Sequence, residues 1–279
     1  MRLGGPADTR DSETWIADLR RKGYAAADCP FDAKADASTQ KAFLDAARKV
    51  DIVIAEVGVW NNPLHPDAAE ARKAIEHCKV QLDLAERVGA NCCVNISGSR
   101  GALWDGPHQD NFTPGTFALI VDTVREIIDA VRPTRSFYTL EPMPWMYPDS
   151  PESYLDLILA VDRPAFAVHM DPVNIISSPQ RYFGNAAFIR ECFRKLGPWI
   201  KSCHGKDTLL SEKLTVHLSE ARAGVGVLDY GTYLHEIEKI SPDMPLLLEH
   251  LSEERDYELA AAHVRGVAKQ TGVVIKQPK

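Results

Sequence analysis

Eight short apolar runs, each followed by a longer amphipathic stretch, alternate along a chain of 279 residues. That alternation, together with a length near the roughly 250 residues typical of such barrels, predicts an α/β fold: a closed (β/α)8 TIM barrel. The competing arrangement is an open doubly wound sheet. It would read as a nucleotide binder only with a glycine fingerprint after the first strand, where the chain has Gly4-Gly5-Pro6 instead. No low-complexity tract or composition break marks a linker, so one domain over residues 1–279 is expected.

In order, a short first strand falls at 2–3 and a helix at 15–22, opened by Ser12-Glu13-Thr14. The strand at 25–28 leads to a helix at 40–49, opened by Asp36-Ala37-Ser38-Thr39, whose side chains can accept from the free N–H groups of a first turn. Strands at 51–57, 92–96 and 137–141 precede helices at 67–88, 114–130 and 151–160. Strands at 165–171, 200–204 and 246–249 precede helices at 186–196, 230–240 and 255–270.

Composition narrows the function. With 32 Lys+Arg against 39 Asp+Glu the formal charge is −7, which argues against nucleic acid as a partner, since phosphate backbones are held by basic faces. No run approaches the roughly 18 to 20 apolar residues of a membrane span, and Met1-Arg2-Leu3-Gly4-Gly5 lacks the layout of a signal peptide. A cytoplasmic protein without a membrane partner is expected. The six cysteines are scattered, without zinc-knuckle spacing, and most of them read as small buried groups in a reducing compartment.

In such a barrel chemistry sits where the strands end at their C-terminal side. Four consecutive runs end in Glu141, Asp171, His204 and Glu249. Three carboxylates at one mouth would repel one another severely without a cation, and with the imidazole they suit one divalent metal: Mn²⁺ is expected, with Mg²⁺, Co²⁺ or Zn²⁺ as alternatives. Taken singly, a strand-end carboxylate is more often a helix cap or a surface group; the four endings in order are what point to a metal.

The motifs Leu140-Glu141-Pro142, His169-Met170-Asp171-Pro172-Val173-Asn174, His204-Gly205-Lys206-Asp207, Gly224 to Tyr230 and Leu248-Glu249-His250 occur in this order and spacing. In this the chain resembles the xylose-isomerase-like barrels of the sugar phosphate isomerase/epimerase superfamily over nearly its whole length. The resemblance implies Glu141, Asp171, His204 and Glu249 as metal ligands, with Glu141 and Glu249 as the catalytic acid/base pair. The implied substrate is a small carbohydrate or polyol. A cation bridging two oxygens of a hydroxy-ketone acidifies the C–H between them, and a carboxylate on each face can remove and return the proton.

The chain also departs from its relatives. Ketose 3-epimerases and apurinic endonucleases often carry a histidine where this sequence has Asn174. His169, two residues before Asp171 on the same strand face, either substitutes for it or is a core histidine. Lys206 either holds a substrate oxygen or pairs with Asp207 or another carboxylate. Arg222 either reaches the substrate or is a solvated loop residue. Gly224-Val225-Gly226 reads as a tight turn leading to an Asp229 helix cap. On the substrate side, Trp60, Trp104, His108 and Trp145 are binding candidates, because flat rings beside amides suit the C–H faces of sugars. The long loop 98–112 reads as a lid or a partner contact.

The expected activity is a sugar or keto-polyol isomerase/epimerase working through an enediolate. The alternative is a lyase on a keto-inositol or a 3-oxo-glycoside, and an apurinic-endonuclease-like role is disfavoured by Asn174 and the acidic charge. A homo-oligomer is expected, and a small partner subunit is left open.

Overall fold

Each amphipathic stretch becomes a helix, most of them capped by a side chain. Asp11 accepts from Thr14 N ahead of α1 (Ser12–Lys22), Asp36 from Thr39 N ahead of α2 (Ala37–Lys49), and Asp67 from Ala69 N and Glu70 N ahead of α3 (Ala68–Val88). Thr113 and Ser150 cap α4 (Pro114–Val131) and α5 (Pro151–Val161), where a proline in the first turn gives up an N–H that would have no helical partner. The remaining helices are two short turns, α6 (Pro172–Ile175) and α7 (Pro179–Phe183), then α8 (Asn185–Leu196), α9 (Tyr230–Ile240) and α10 (Glu254–Thr271).

The computed structural model describes residues 1–279. The strands are β1 (Arg2–Gly4), β2 (Ala26–Asp28), β3 (Val53–Gly58), β4 (Cys92–Asn95), β5 (Phe137–Leu140), β6 (Phe166–Met170), β7 (Ile200–Gly205), β8 (Asp207–Leu210), β9 (Leu218–Ala221) and β10 (Pro245–Leu248). Eight of them close into a barrel in the order β1-β10-β7-β6-β5-β4-β3-β2. Every neighbour pair in it is parallel, as the alternation of strand and helix requires.

Helix residues such as Leu19, Phe43, Leu82, Ile127, Leu157, Ile189, Leu234 and Val264 pack against the outer barrel face in one continuous core. Burying each such Leu, Ile, Val or Phe side chain is worth about 1.5–3 kcal/mol. Inside the barrel, Ala26, Ala55 and Leu247 form their own small cluster. Gly4 belongs to this layer: a Cβ there would come within 2.3 Å of Leu247 Cδ2, so the glycine makes room for the leucine.

The two mouths differ. At the N-terminal mouth, buried Arg2 pairs with Asp243 at 2.7 Å and Asp51 at 3.0 Å, and the C-terminal tail crosses over it, with Lys276 N bonded to Met1 O and Lys279 N to Val50 O. The cavity at that end, about 490 Å³ and lined by residues such as Val53, Ile200, Lys201 and Met244, holds none of the strand-end carboxylates, which lie at the C-terminal mouth. No helix is long and apolar enough to cross a membrane.

Two features depart from the sequence reading. The β8–β9 hairpin stands outside the barrel as an antiparallel pair, with Asp207 opposite Ala221 and Leu210 opposite Leu218. Its strands are too short and too mixed in polarity to stand out by periodicity. The ladders of β5, β6 and β10 also stop one residue early, so Glu141, Asp171 and Glu249 lie just past the strands rather than in them.

Candidate metal centre

The ends of β5, β6, β7 and β10 carry Glu141, Asp171, His204 and Glu249 to one point, with ligand atoms all within 4.8 Å of one another. Register brings this about. Gly205 pairs with Leu248 and Met170 with Cys203, so the residues that follow leave the barrel at one level. Tyrosines from the surrounding helices hold these ends. Tyr154 Oη lies 2.5 Å from Leu140 O and 3.0 Å from Ala167 O and accepts from Leu140 N at 3.1 Å. Tyr233 Oη donates to His204 O at 2.8 Å, and Tyr230 Oη to Lys206 O at 2.7 Å.

Each ligand is oriented by a further contact. Asp171 Oδ1 accepts from Val173 N and Asn174 N, which turns its other oxygen to the cluster. Asn174 donates to Glu141 Oε1 at 2.9 Å and accepts from Lys206 Nζ at 3.2 Å. The residue standing in place of the relatives' histidine thus links a ligand to a lysine. His204 Nδ1 lies 2.9 Å from Glu249 Oε1 and 3.3 Å from Glu141 Oε1, while its Nε2 is 2.9 Å from Glu56 Oε1. The second Glu56 oxygen lies 3.2 Å from His169 Nδ1, and the two imidazoles meet edge to face with centroids 4.0 Å apart.

Lys206 is buried among these carboxylates, with Nζ 2.6 Å from Glu249 Oε1 and 2.8 Å from Asp171 Oδ2. Asp207 does not take part. Its carboxylate accepts from Thr208 N, Gly224 N and Leu228 N, and so closes the Gly224 turn, where φ is +87°.

Burial opposes the positive charges of His204 and Lys206, but the carboxylates around them outweigh it and hold both well above their ordinary ranges. Burial would likewise raise Glu141, yet Lys206 and His204 bring it down to about 2. Asp171 is lifted by burial to about 6 against the pull of Lys206. Despite their burial, Glu249 beside His204 and Glu56 between the two histidines fall below the ordinary carboxylate range.

The residues fit a divalent cation. Asp171 Oδ2 and Glu249 Oε1 both point into the cluster, where Lys206 supplies the one lysine charge against three carboxylates, and a cation there would offset the remainder. With His204 neutral, as a metal ligand must be, the three carboxylates and Lys206 sum to two negative charges.

Above the cluster opens a cavity of about 480 Å³ lined by Asp28, Glu56, Glu141, Asn174, His204 and Glu249, with Trp60, Trp104 and Trp145 around it. A wider groove of about 590 Å³ beside α1 and the start of α10 is lined by surface charges such as Asp18, Arg21 and Glu254 and holds none of these groups. His169 and Lys206 lie beneath the cavity, not on its wall. Two substrate candidates are not brought to it. Arg222 turns to Asp256 on α10, 3.3 Å away, and His108 caps the short turn Gln109–Phe112 by accepting from Asp110 N. The loop around His108 is pinned by buried Asn111, which accepts from Arg100 N and donates to Gly106 O and Trp145 O.

Two residues in the cavity were missed in the sequence. Glu56 is a lone charge inside an apolar run, and Asp28 ends its run as the four ligands end theirs. Asp28 and Glu56 are paired across β2 and β3 where the register shifts, a bulge that re-aims side chains at the mouth. A second register shift falls at His169. Asp28 opens into the cavity, but its surrounding walls and the adjacent Glu56 carboxylate push it up to about 8.

The sequence matches the xylose isomerase-like TIM barrel family over residues 16–268, and the chain belongs to that family. No curated protein matches it. Among solved structures it is similar to a xylose isomerase-like TIM barrel protein from Mycobacterium smegmatis in complex with magnesium, at 16% identity and TM-score 0.69, covering 98% of this chain and 97% of that one. It is also similar to D-psicose 3-epimerase from Clostridium cellulolyticum (13%, TM-score 0.69, 99% and 100% covered). A third is the probable 3-DHS dehydratase AsbF of Bacillus anthracis (17%, TM-score 0.68, 91% and 92%). At these identities the likeness is one of fold.

Proposed function

We propose that this chain is a divalent-metal-dependent isomerase or epimerase that removes and returns a proton beside the carbonyl of a sugar or keto-polyol. The observation that carries the reading is the convergence of two glutamates, an aspartate and a histidine under one cavity, with ligand atoms within 4.8 Å of one another. Glu141, Asp171, His204 and Glu249 would hold the cation, taken as Mn²⁺, whose contribution is to polarise the carbonyl and its neighbouring hydroxyl. The magnesium complex of one structural relative and the epimerase activity named for another support this reading.

The protein's own groups do the rest. Glu141 and Glu249 leave the barrel from β5 and β10, with β6 and β7 between them, and so flank a substrate from two sides. Both are ionised at neutral pH, the state a base needs. Asn174 holds one oxygen of Glu141, and Lys206, beneath the cavity, holds Glu249 and Asp171 in place. The mouth carries Asp105, Glu220 and Glu249, which would repel a phosphate backbone and so weigh against a DNA substrate.

One observation favours a second reading. Asp28 faces the cavity, where its walls and the adjacent Glu56 carboxylate favour the protonated form, so it can protonate a departing group after the same C–H step. Elimination from a keto-inositol or a 3-oxo-glycoside would use it.

NMR in D₂O of the Mn²⁺-loaded protein with ketoses, inososes and 3-oxo-glucosides tests both. Deuterium entering beside the carbonyl is expected, with loss of exchange in Glu249→Gln. A new stereoisomer or aldose marks the isomerase, and release of water or an aglycone marks the lyase. A chelator-treated protein that takes up no cation, and no exchange with any substrate, would sink the proposal.

A further inference from the structure

One imidazole at the mouth of the barrel takes no part in the metal cluster or the core. His250 follows the ligand Glu249 and stands on the cavity wall with its side chain 57% exposed, whereas both ring nitrogens of His204 are engaged by carboxylates. Its backbone has φ +55°, a left-handed conformation that costs a residue other than glycine on the order of 1–3 kcal/mol and persists where the surroundings enforce it. Leu251 N, bonded to Tyr257 Oη at 3.3 Å, fixes the chain that follows.

The ring is aimed by a residue from outside the barrel. Glu220 on β9 brings both carboxylate oxygens to 3.1 Å from His250 Nδ1. Within the hairpin Glu220 lies opposite Thr208, and a contact of 3.5 Å ties the same carboxylate to Lys206 Nζ beneath the cavity. An ionised carboxylate only accepts, so Nδ1 of the histidine carries a proton. His250 Nε2 is then left at the cavity, 3.6 Å from Glu249 Oε2 and beyond hydrogen-bond distance of it. Glu249 Oε1 is turned to Lys206 and His204, so the free oxygen of the glutamate and the free nitrogen of the histidine lie side by side.

We infer that His250 binds a hydroxyl group of the substrate and that Glu220 is the positioning residue that orients it. A polyhydroxylated substrate and Glu249 as the base rest on the reading above; the Glu220–His250 pair rests on its own geometry. A hydroxyl suits Nε2 in either state of the ring, donating to the lone pair of the neutral imidazole and accepting from the N–H of the cation. A carbon whose proton is in reach of Glu249 Oε2 thus has an oxygen, on itself or on the next carbon, held by His250. That selects polyols over analogues that lack this hydroxyl. Removing one such bond costs about tenfold in affinity, the ratio that corresponds to about 1.4 kcal/mol.

Imidazole ¹⁵N NMR of the histidine-labelled protein tests this, with Mg²⁺ as a diamagnetic stand-in for Mn²⁺ and the His250 signals assigned by their loss in His250→Phe. Nδ1 should carry a proton, and D-fructose, D-tagatose or scyllo-inosose, added in turn, should shift Nε2 in at least one case while Nδ1 keeps its proton. Glu220→Ala should abolish that response. Glu220→Gln, whose amide oxygen still accepts from Nδ1, should keep most of it. His250→Phe should weaken binding of the responding compound about tenfold, with Mg²⁺ affinity within twofold of wild type. A bare Nδ1 with the proton on Nε2, no response to any of the three compounds, or a response that survives in Glu220→Ala would overturn the inference. C–H exchange in D₂O with a silent His250 would keep the proposed reaction and remove this contact. A responding His250 without exchange would keep the hydroxyl contact and remove the reaction, so the two fail separately.

Discussion

Replacing Glu56 by glutamine should weaken Mn²⁺ binding although Glu56 is not among the four ligands. Its carboxylate stands 2.9 Å from His204 Nε2 and 3.2 Å from His169 Nδ1, so it can accept a proton from both rings. A proton kept on His204 Nε2 leaves the Nδ1 lone pair facing Glu141 and Glu249, where a cation would sit. Glutamine has one acceptor oxygen, so its NH₂ group must face one of the two histidines. If that is His204, the imidazole proton moves to Nδ1 and blocks the ligand atom. Loss of such an outer carboxylate typically costs 10–100-fold in metal affinity, which is about 1.4–2.7 kcal/mol. That range agrees with the roughly 1.5–3 kcal/mol of a hydrogen bond to a charged group. Calorimetric titration of chelator-stripped protein with Mn²⁺ reads the change, and circular dichroism and thermal melting check that the variant is folded. A folded Glu56→Gln protein with Mn²⁺ affinity within twofold of wild type would refute the reasoning.

Lys206→Met removes a positive charge from the cluster and should tighten Mn²⁺ binding tenfold or more, while the metal-free protein loses roughly 3–5 kcal/mol because buried carboxylates are left unpaired; weaker metal binding in the variant would contradict this. Asp28→Asn tests the protonated acid. The folded-state pKa of Asp28, about 8, lies above its ordinary 3.8, so the stability it contributes is full below the lower value and is lost as pH rises through the upper one. The always-neutral asparagine should therefore gain on wild type in melts taken at pH 5, 7 and 9, and a gap that narrows with rising pH would exclude the assignment. Tyr154→Phe cuts the hydroxyl that ties the ends of β5 and β6 and should cost about 1–3 kcal/mol in urea unfolding; an unchanged midpoint would show that the hydroxyl does not hold the mouth together.

The electrostatic arrangement connects these tests. Glu56, Asn174 and Lys206 touch the ligands rather than replace them, and each fixes one degree of freedom: the proton on His204, one oxygen of Glu141, and the charge beside Glu249. A site built this way is preorganised, so its donors need little rearrangement when a cation or substrate arrives.

Much of this was legible in the order of residues, because the period of apolar positions and the place where an apolar run stops are local properties. They identified the eight barrel strands and their helices, and they singled out Glu141, Asp171, His204 and Glu249, which closure of the barrel brings within 4.8 Å. Asp28 met the same strand-end criterion and was overlooked. Other features depend on which strands become neighbours and where a ladder slips. Glu56 inside an apolar run looks like an ordinary interruption until the barrel sets it between His169 and His204. Asn174 looks like the loss of a histidine until its amide is found joining Glu141 to Lys206. Arg222 and His108 are polar loop residues of the expected type, but the loops turn them to Asp256 and Asp110 instead. The sequence by itself determined the repeating units and the donors at their ends, through spacing along one dimension. Only the tertiary structure decided which charges meet and which group keeps its proton, because those follow from distances across the barrel that residue order does not encode.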